Sequence, residues 1–128
     1  MTDAVLFSDA LLIDPETEAE YRGDLLVEDG RIAAIGEGGG ELSAKAARVI
    51  DCAGRALAPG IVDIGVKVCE PGERHKESFK SAGLAAAAGG VTTIVTRPDT
   101  APAIDSPETL EFVTRRAQAD TPVNVLPM

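Results

Sequence analysis

A chain of 128 residues with 12 Lys and Arg against 21 Asp and Glu carries a formal charge of −9. That balance argues against nucleic acid or an anionic membrane as partner, because neither polyanion is drawn to an acidic surface. With 45% hydrophobic residues but no Trp, one Tyr and three Phe, any core has to be assembled from Val, Ile, Leu and Ala.

No run approaches the ~18 apolar residues of a membrane span. The opening Met-Thr-Asp-Ala-Val lacks the basic and apolar regions of a secretory leader. Two cysteines without metal spacing, Cys52 and Cys69, suit a reducing compartment rather than a disulfide. The expected location is cytoplasmic.

Residues 1–58 read as strands and tight turns. Ala4 to Ile13 is an apolar strand closed by Asp14-Pro15. Asp24 to Glu28 and Arg31 to Ile35 flank Asp29-Gly30, a dipeptide suited to the positive φ angles of a two-residue hairpin turn. Gly36 to Gly40 predicts a loop; it resembles a phosphate loop only in composition, lacking the Lys-Ser/Thr element and a following helix. Val49 to Asp51 and Ala56 to Ala58 follow, parted by the turn at Ala53-Gly54. Together these predict a small antiparallel, sandwich-like sheet layer, with Cys52 as a small hydrophobe within it.

At Pro59 the pattern changes to strand–helix alternation. Ile61 to Val68 is a strand, and Lys76 to Ala88 a helix stopped by Gly89-Gly90. Val91 to Thr96 is a β-branched second strand. Ser106-Pro107-Glu108 starts a helix with an N-cap serine, proline at the first helical position and an acid at the positive dipole end. Leu110, Val113 and Ala117 mark its buried face, and Pro122 to Leu126 gives a third strand. The Ala85–Ala88 run predicts a close helix–sheet contact. The order predicts an α/β fold with a parallel sheet and right-handed crossovers. Three strands cannot close an eight-fold barrel, which takes ~250 residues, and an open sheet leaves two bare edges. The expectation is a portion of a larger protein.

Chemistry belongs at the end of the Ile61–Val68 strand. Read with a period of two, Val62, Ile64, Val66 and Val68 face one way, and Asp63, Gly65 and Lys67 the other. The second row is delivered to the strand end where α/β proteins place their sites. Cys69 has no base beside it and is expected to be an inert thiol. His75, the only histidine, is expected to be a solvated loop residue.

The segments Asp29-Gly30-Arg31-Ile32, Ala58-Pro59-Gly60-Ile61-Val62-Asp63, Glu70-Pro71-Gly72, His75-Lys76-Glu77, Ala85-Ala86-Ala87-Ala88-Gly89-Gly90-Val91-Thr92-Thr93 and Pro98-Asp99-Thr100-Ala101-Pro102 occur in one order along the chain. In that order the chain resembles the bacterial dihydroorotases of the amidohydrolase superfamily, relatives of allantoinases and hydantoinases. The resemblance implies N-terminal β-sandwich strands over residues 1–58. The first βα units of an amidohydrolase-type TIM barrel, incomplete in this chain, would then span 59–128. Active members cyclise carbamoyl aspartate to dihydroorotate with zinc held by two histidines on the first barrel strand.

Those histidines fall at Gly65 and Lys67, and the following arginine, which grips substrate, falls at Cys69. A substrate-contacting asparagine falls at Asp99. The resemblance therefore implies a degenerate homologue with no catalytic residue, no resident metal and no cofactor, Asp63 retaining a structural role. Lys67 has two readings. Its ammonium replaces the lost metal charge and pairs with Asp63 or a later acid, or, more plainly, its stem packs at the barrel mouth with its head in water. Degenerate homologues of this kind pair with aspartate carbamoyltransferase as scaffolds, so that enzyme, or the remainder of the fold, is the expected partner, in an oligomer. The alternative is a working cyclic amidohydrolase with an altered site.

Overall fold

A computed structural model describes residues 4–37, 42 and 46–128. The chain forms two compact units, Met1–Pro59 and Gly60–Met128. Among the described residues no helix is long and apolar enough to cross a membrane.

In the first unit β1 (Ala4–Asp14) pairs antiparallel with β2 (Ala19–Glu28), and β2 with β3 (Arg31–Gly36). The hairpin turn forms where Asp-Gly favours it: Asp29 and Gly30 both have positive φ, 50° and 75°. β4 (Arg48–Asp51) and β5 (Ala56–Leu57) both run parallel to β1, giving the order β3-β2-β1-β4 with β5 also on β1. The layer is therefore mixed rather than wholly antiparallel. β4 lies on the side of β1 away from β2 and runs in β1's own direction. The loop expected at Gly36 to Gly40 falls mostly outside the described residues.

Ala4, Leu6 and Leu26 form the centre of this unit's core. A bulge in β1 between Phe7 and Ala10 turns the Asp9 N–H onto the buried Asp24 carboxylate at 3.0 Å. The sheet also carries an open apolar groove of about 390 Å³, walled by Phe7, Tyr21, Leu25, Ile32, Ile35 and Leu57.

The second unit is a parallel sheet in the order β6-β7-β8, made of β6 (Ile61–Val66), β7 (Val91–Thr96) and β8 (Asn124–Pro127). The crossovers are α1 (Phe79–Ala88) and α2 (Pro107–Asp120). α1 starts later than the sequence suggests because Ser78 stops it: its Oγ accepts from the Ser81 N–H while Ser81 Oγ accepts from the Ser78 N–H. α2 starts at the expected serine, Ser106 accepting from the Thr109 N–H, with Pro107 in the first turn.

Val68, Phe79, Ala82, Ile94, Val113 and Ala117 form the core between sheet and helices. Two details differ from expectation. Leu110 is 43% exposed, so α2 buries a narrower stripe centred on Val113 and Ala117. Ala85, Ala87 and Ala88 are exposed; the close approach of α1 is made one turn earlier, at Ala82 and Gly83, where a Cβ on Gly83 would sit 2.8 Å from Thr121 Cβ.

Candidate functional site at the ends of β6 and β7

β6 is not regular. Ile64 lies level with Val95 and Val66 level with Thr96, so Gly65 is an extra residue with no partner on β7. Its φ of +89° is one that only glycine adopts without strain, and nothing lies within 4 Å of where a Cβ would stand. The bulge breaks the alternation expected from the sequence. Val66 and Val68 pack into the core on the side of Ile94 and Thr96. Val62 and Ile64 lie level with Thr93 and Val95 on the opposite face, and Ile64 is 72% exposed. The strand also ends at Val66, two residues earlier than expected.

Lys67 therefore leaves the end of β6 on the side away from the core. Its ammonium donates to Asp99 Oδ2 at 3.2 Å. Arg97 holds the same carboxylate through Nε to Oδ1 at 3.2 Å and Nη2 to Oδ2 at 3.1 Å, a forked geometry suited to a planar guanidinium. The hydrogen bond from Lys67 holds the Asp99 carboxyl below its ordinary range against a desolvation that pushes the other way, and the Arg97 charge adds to the lowering. Directly beneath, the Arg97 N–H donates to the Val66 carbonyl at 2.9 Å. Asp63, level with Ile94, is exposed and takes no part in this cluster.

The loop after β6 is held from below by Glu70. Its side chain is 4% exposed and accepts from the Phe79 N–H at 3.0 Å, at the start of α1, and from Arg116 Nε at 2.9 Å, on α2. Arg74 Nε stands 3.6 Å away. Burial pushes the Glu70 carboxyl up, and the Phe79 N–H with the Arg116 guanidinium outweighs it, leaving the group below its ordinary value. Gly72 completes the turn: a Cβ there would stand 1.9 Å from the Ala101 carbonyl oxygen, so the loops after β6 and β7 touch backbone to backbone.

Cys69 and Cys52 are half-buried free thiols, one in each unit. His75 is exposed in the loop, beside the Glu73–Lys76 ion pair. The structure thus brings together Lys67 and Asp99, 32 residues apart, with Arg97 as a third member. Gly65 acts through its backbone, and Asp63 stands apart. Sequence reading passed over Arg97 and Arg116. Arg97 is signalled by its place one proline before Asp99; nothing local marks Arg116 as the partner of a glutamate 46 residues earlier.

The chain is similar to known proteins along most of its length. It is 42% identical over 121 residues to a dihydroorotase of Wolbachia sp. subsp. Drosophila simulans (strain wRi), covering 94% of this chain and 27% of that protein. It is 49% identical over 104 residues to a dihydroorotase of Bacillus cytotoxicus, covering 81% and 24%. Its fold superposes on an L-hydantoinase (dihydropyrimidinase) from Arthrobacter aurescens with a TM-score of 0.88 at 27% identity, covering 99% of this chain and 27% of that one. A D-hydantoinase from Thermus sp., at 23% identity and a TM-score of 0.76, shares the fold. The chain spans about a quarter of the length of these relatives. The α/β arrangement expected from the sequence is the one these structures share. With residues 54–128 matching the family model described as dihydro-orotase-like, this chain belongs to the dihydro-orotase-like family of amidohydrolases.

Proposed function

We propose that the protein is a non-catalytic member of this pyrimidine-pathway family and that the full-length protein acts as an assembly partner of aspartate carbamoyltransferase in the cytoplasm. The observation that carries the reading is the pair of residues at the end of β6. Glycine 65 has no donor atom, and the Lys67 ammonium has no lone pair and is already bonded to Asp99 at 3.2 Å.

Zinc, which active members hold at this strand end as a Lewis acid and a source of acidified water, does not fit the residues present. Among the described residues no three of His, Cys, Asp and Glu converge. The two substrate contacts expected of an active member are altered as well. A thiol at Cys69 cannot reproduce a forked guanidinium, and a carboxylate at Asp99 repels a dicarboxylate. Around these positions the supporting structure is complete, from the Glu70 anchor to both helix caps. A scaffold kept in order beside an altered site supports a role for the protein's surface.

The test is made on the full-length protein by metal analysis, a carbamoyl aspartate cyclisation assay and co-purification with the transferase. No stoichiometric zinc, no turnover above background and a stable complex are expected. Stoichiometric zinc accompanied by turnover overturns the reading in favour of a working cyclic amidohydrolase. The Gly65→His/Lys67→His variant is a poor shortcut to that chemistry, because a histidine at 65 first has to leave the φ of +89°.

A further inference from the structure

We infer that Lys67, Asp99 and Arg97 form an ionic clasp that ties the ends of β6 and β7 and leaves a fixed positive charge there. The inference deepens the metal-free reading above and rests on it.

The geometry has three parts. The Arg97 fork engages both oxygens of Asp99, at 3.2 and 3.1 Å, so the carboxylate is oriented before Lys67 reaches it. Lys67 then crosses from the other strand to Oδ2 at 3.2 Å. The bulge at Gly65 makes this crossing possible. By inserting one residue after Ile64 it sets Val66 and Val68 on the core side and sends Lys67 to the opposite face. An ordinary exposed ion pair spends much of its gain on ordering two flexible chains; here one partner is ordered already by its own neighbour. Two cations share one carboxylate, so the clasp keeps a net positive charge and repels a divalent ion. Glu73 on the following loop is a further acid within electrostatic reach of Lys67, and it is engaged by Lys76.

The changes at 65 and 67 are on this account one device. The glycine permits the bulge, the bulge aims the lysine, and the lysine takes over a cross-strand tie. A plain solvated lysine predicts none of the couplings below.

The experiment is a double-mutant cycle in the full-length protein with Lys67→Met, Asp99→Asn and the pair together, and Lys67→Arg as the conservative variant. Thermal midpoints are read at low and at high salt, with and without a chelator, and amide hydrogen exchange is followed at Arg97, whose N–H bonds to Val66 directly under the clasp. Lys67→Met and Asp99→Asn should each lower the midpoint by up to about 1 °C at low salt. The double variant should lose no more than either single one, high salt should erase the differences, and Lys67→Arg should restore the midpoint. Exchange at Arg97 should quicken in both single variants. Additive effects, or a Lys67→Met protein with wild-type midpoint and wild-type exchange, overturn the clasp and leave the non-catalytic reading standing. A chelator that lowers the wild-type midpoint while turnover is present overturns both.

Discussion

A carboxylate with 4% of its side chain exposed has to be held by donors, and Glu70 is held from three directions, by a backbone N–H at the start of α1, by Arg116 on α2 and by Arg74 in its own loop. Glutamine keeps one acceptor oxygen for two donors, the Phe79 N–H and Arg116 Nε, and leaves Asp120 as the remaining anion paired with Arg116. Glu70→Gln should cost about 2–3 kcal/mol of unfolding free energy, measured by denaturant titration. The sign with pH follows from the lowered value in the folded state. The stabilisation is complete above the ordinary glutamate value of 4.5 and drains away as pH falls through the folded value. Wild type should therefore lose stability on that acid limb faster than the Gln variant, and identical acid limbs would count against the buried ion pair. Glu70-Pro71-Gly72 was legible in the sequence as one of the ordered segments that carry the family resemblance. Its energetic role was not, because Arg116 meets Glu70 only after two elements have packed.

Among the elements, α1 and β7 show what periodicity can and cannot say. β7 spans Val91–Thr96 as its β-branched run predicts, and the Ser106 start of α2 follows from capping chemistry that is local by nature. The packing face of α1 is different. Its alanine run suggested a contact at 85–88, whereas the helix buries Phe79, Ala82 and Gly83, whose spacing follows the 3.6-residue turn, and meets α2's end at Gly83. Gly83→Ala tests that contact. Alanine is the better helix former by about 1 kcal/mol, yet its Cβ would stand 2.8 Å from Thr121 Cβ and 3.0 Å from Pro122 Cδ. Overpacking should prevail, with a net loss of about 1–2 kcal/mol in chemical denaturation; a stabilised variant would mean that the helix end moves aside easily. The bulge in β6 was illegible for a related reason. A glycine in a strand pattern permits a bulge without demanding one, and every residue after it was assigned to a face by a count that the bulge resets.

Taken whole, the molecule displays apolar surface that a finished domain covers. Ile61, Val62 and Ile64 on the edge strand β6 are 56%, 55% and 72% exposed, and Leu126 on the other edge strand, β8, is 55% exposed. Unpaired edges flanked by such side chains are templates for association. The 128-residue chain expressed by itself should bind an apolar dye and sediment with concentration-dependent mass, and Ile64→Thr with Leu126→Thr should reduce both. A dye-negative monomer would show that these edges are protected in a way the exposed side chains do not suggest. Family and α/β class were readable from ordered motifs; the exposure was readable from the arithmetic of three strands. The charge cluster at the strand ends was legible only in part, as Lys67 pairing with Asp63 or a later acid; that the acid is Asp99, with Arg97 beside it, depends on two loops meeting.

The backbone meeting of Gly72 with the Ala101 carbonyl carries a lesson for anyone reshaping this protein. At this seam the two loops meet with no side chain between them, so neither can be lengthened, exchanged or borrowed from a relative alone. A graft succeeds only if both are transplanted together.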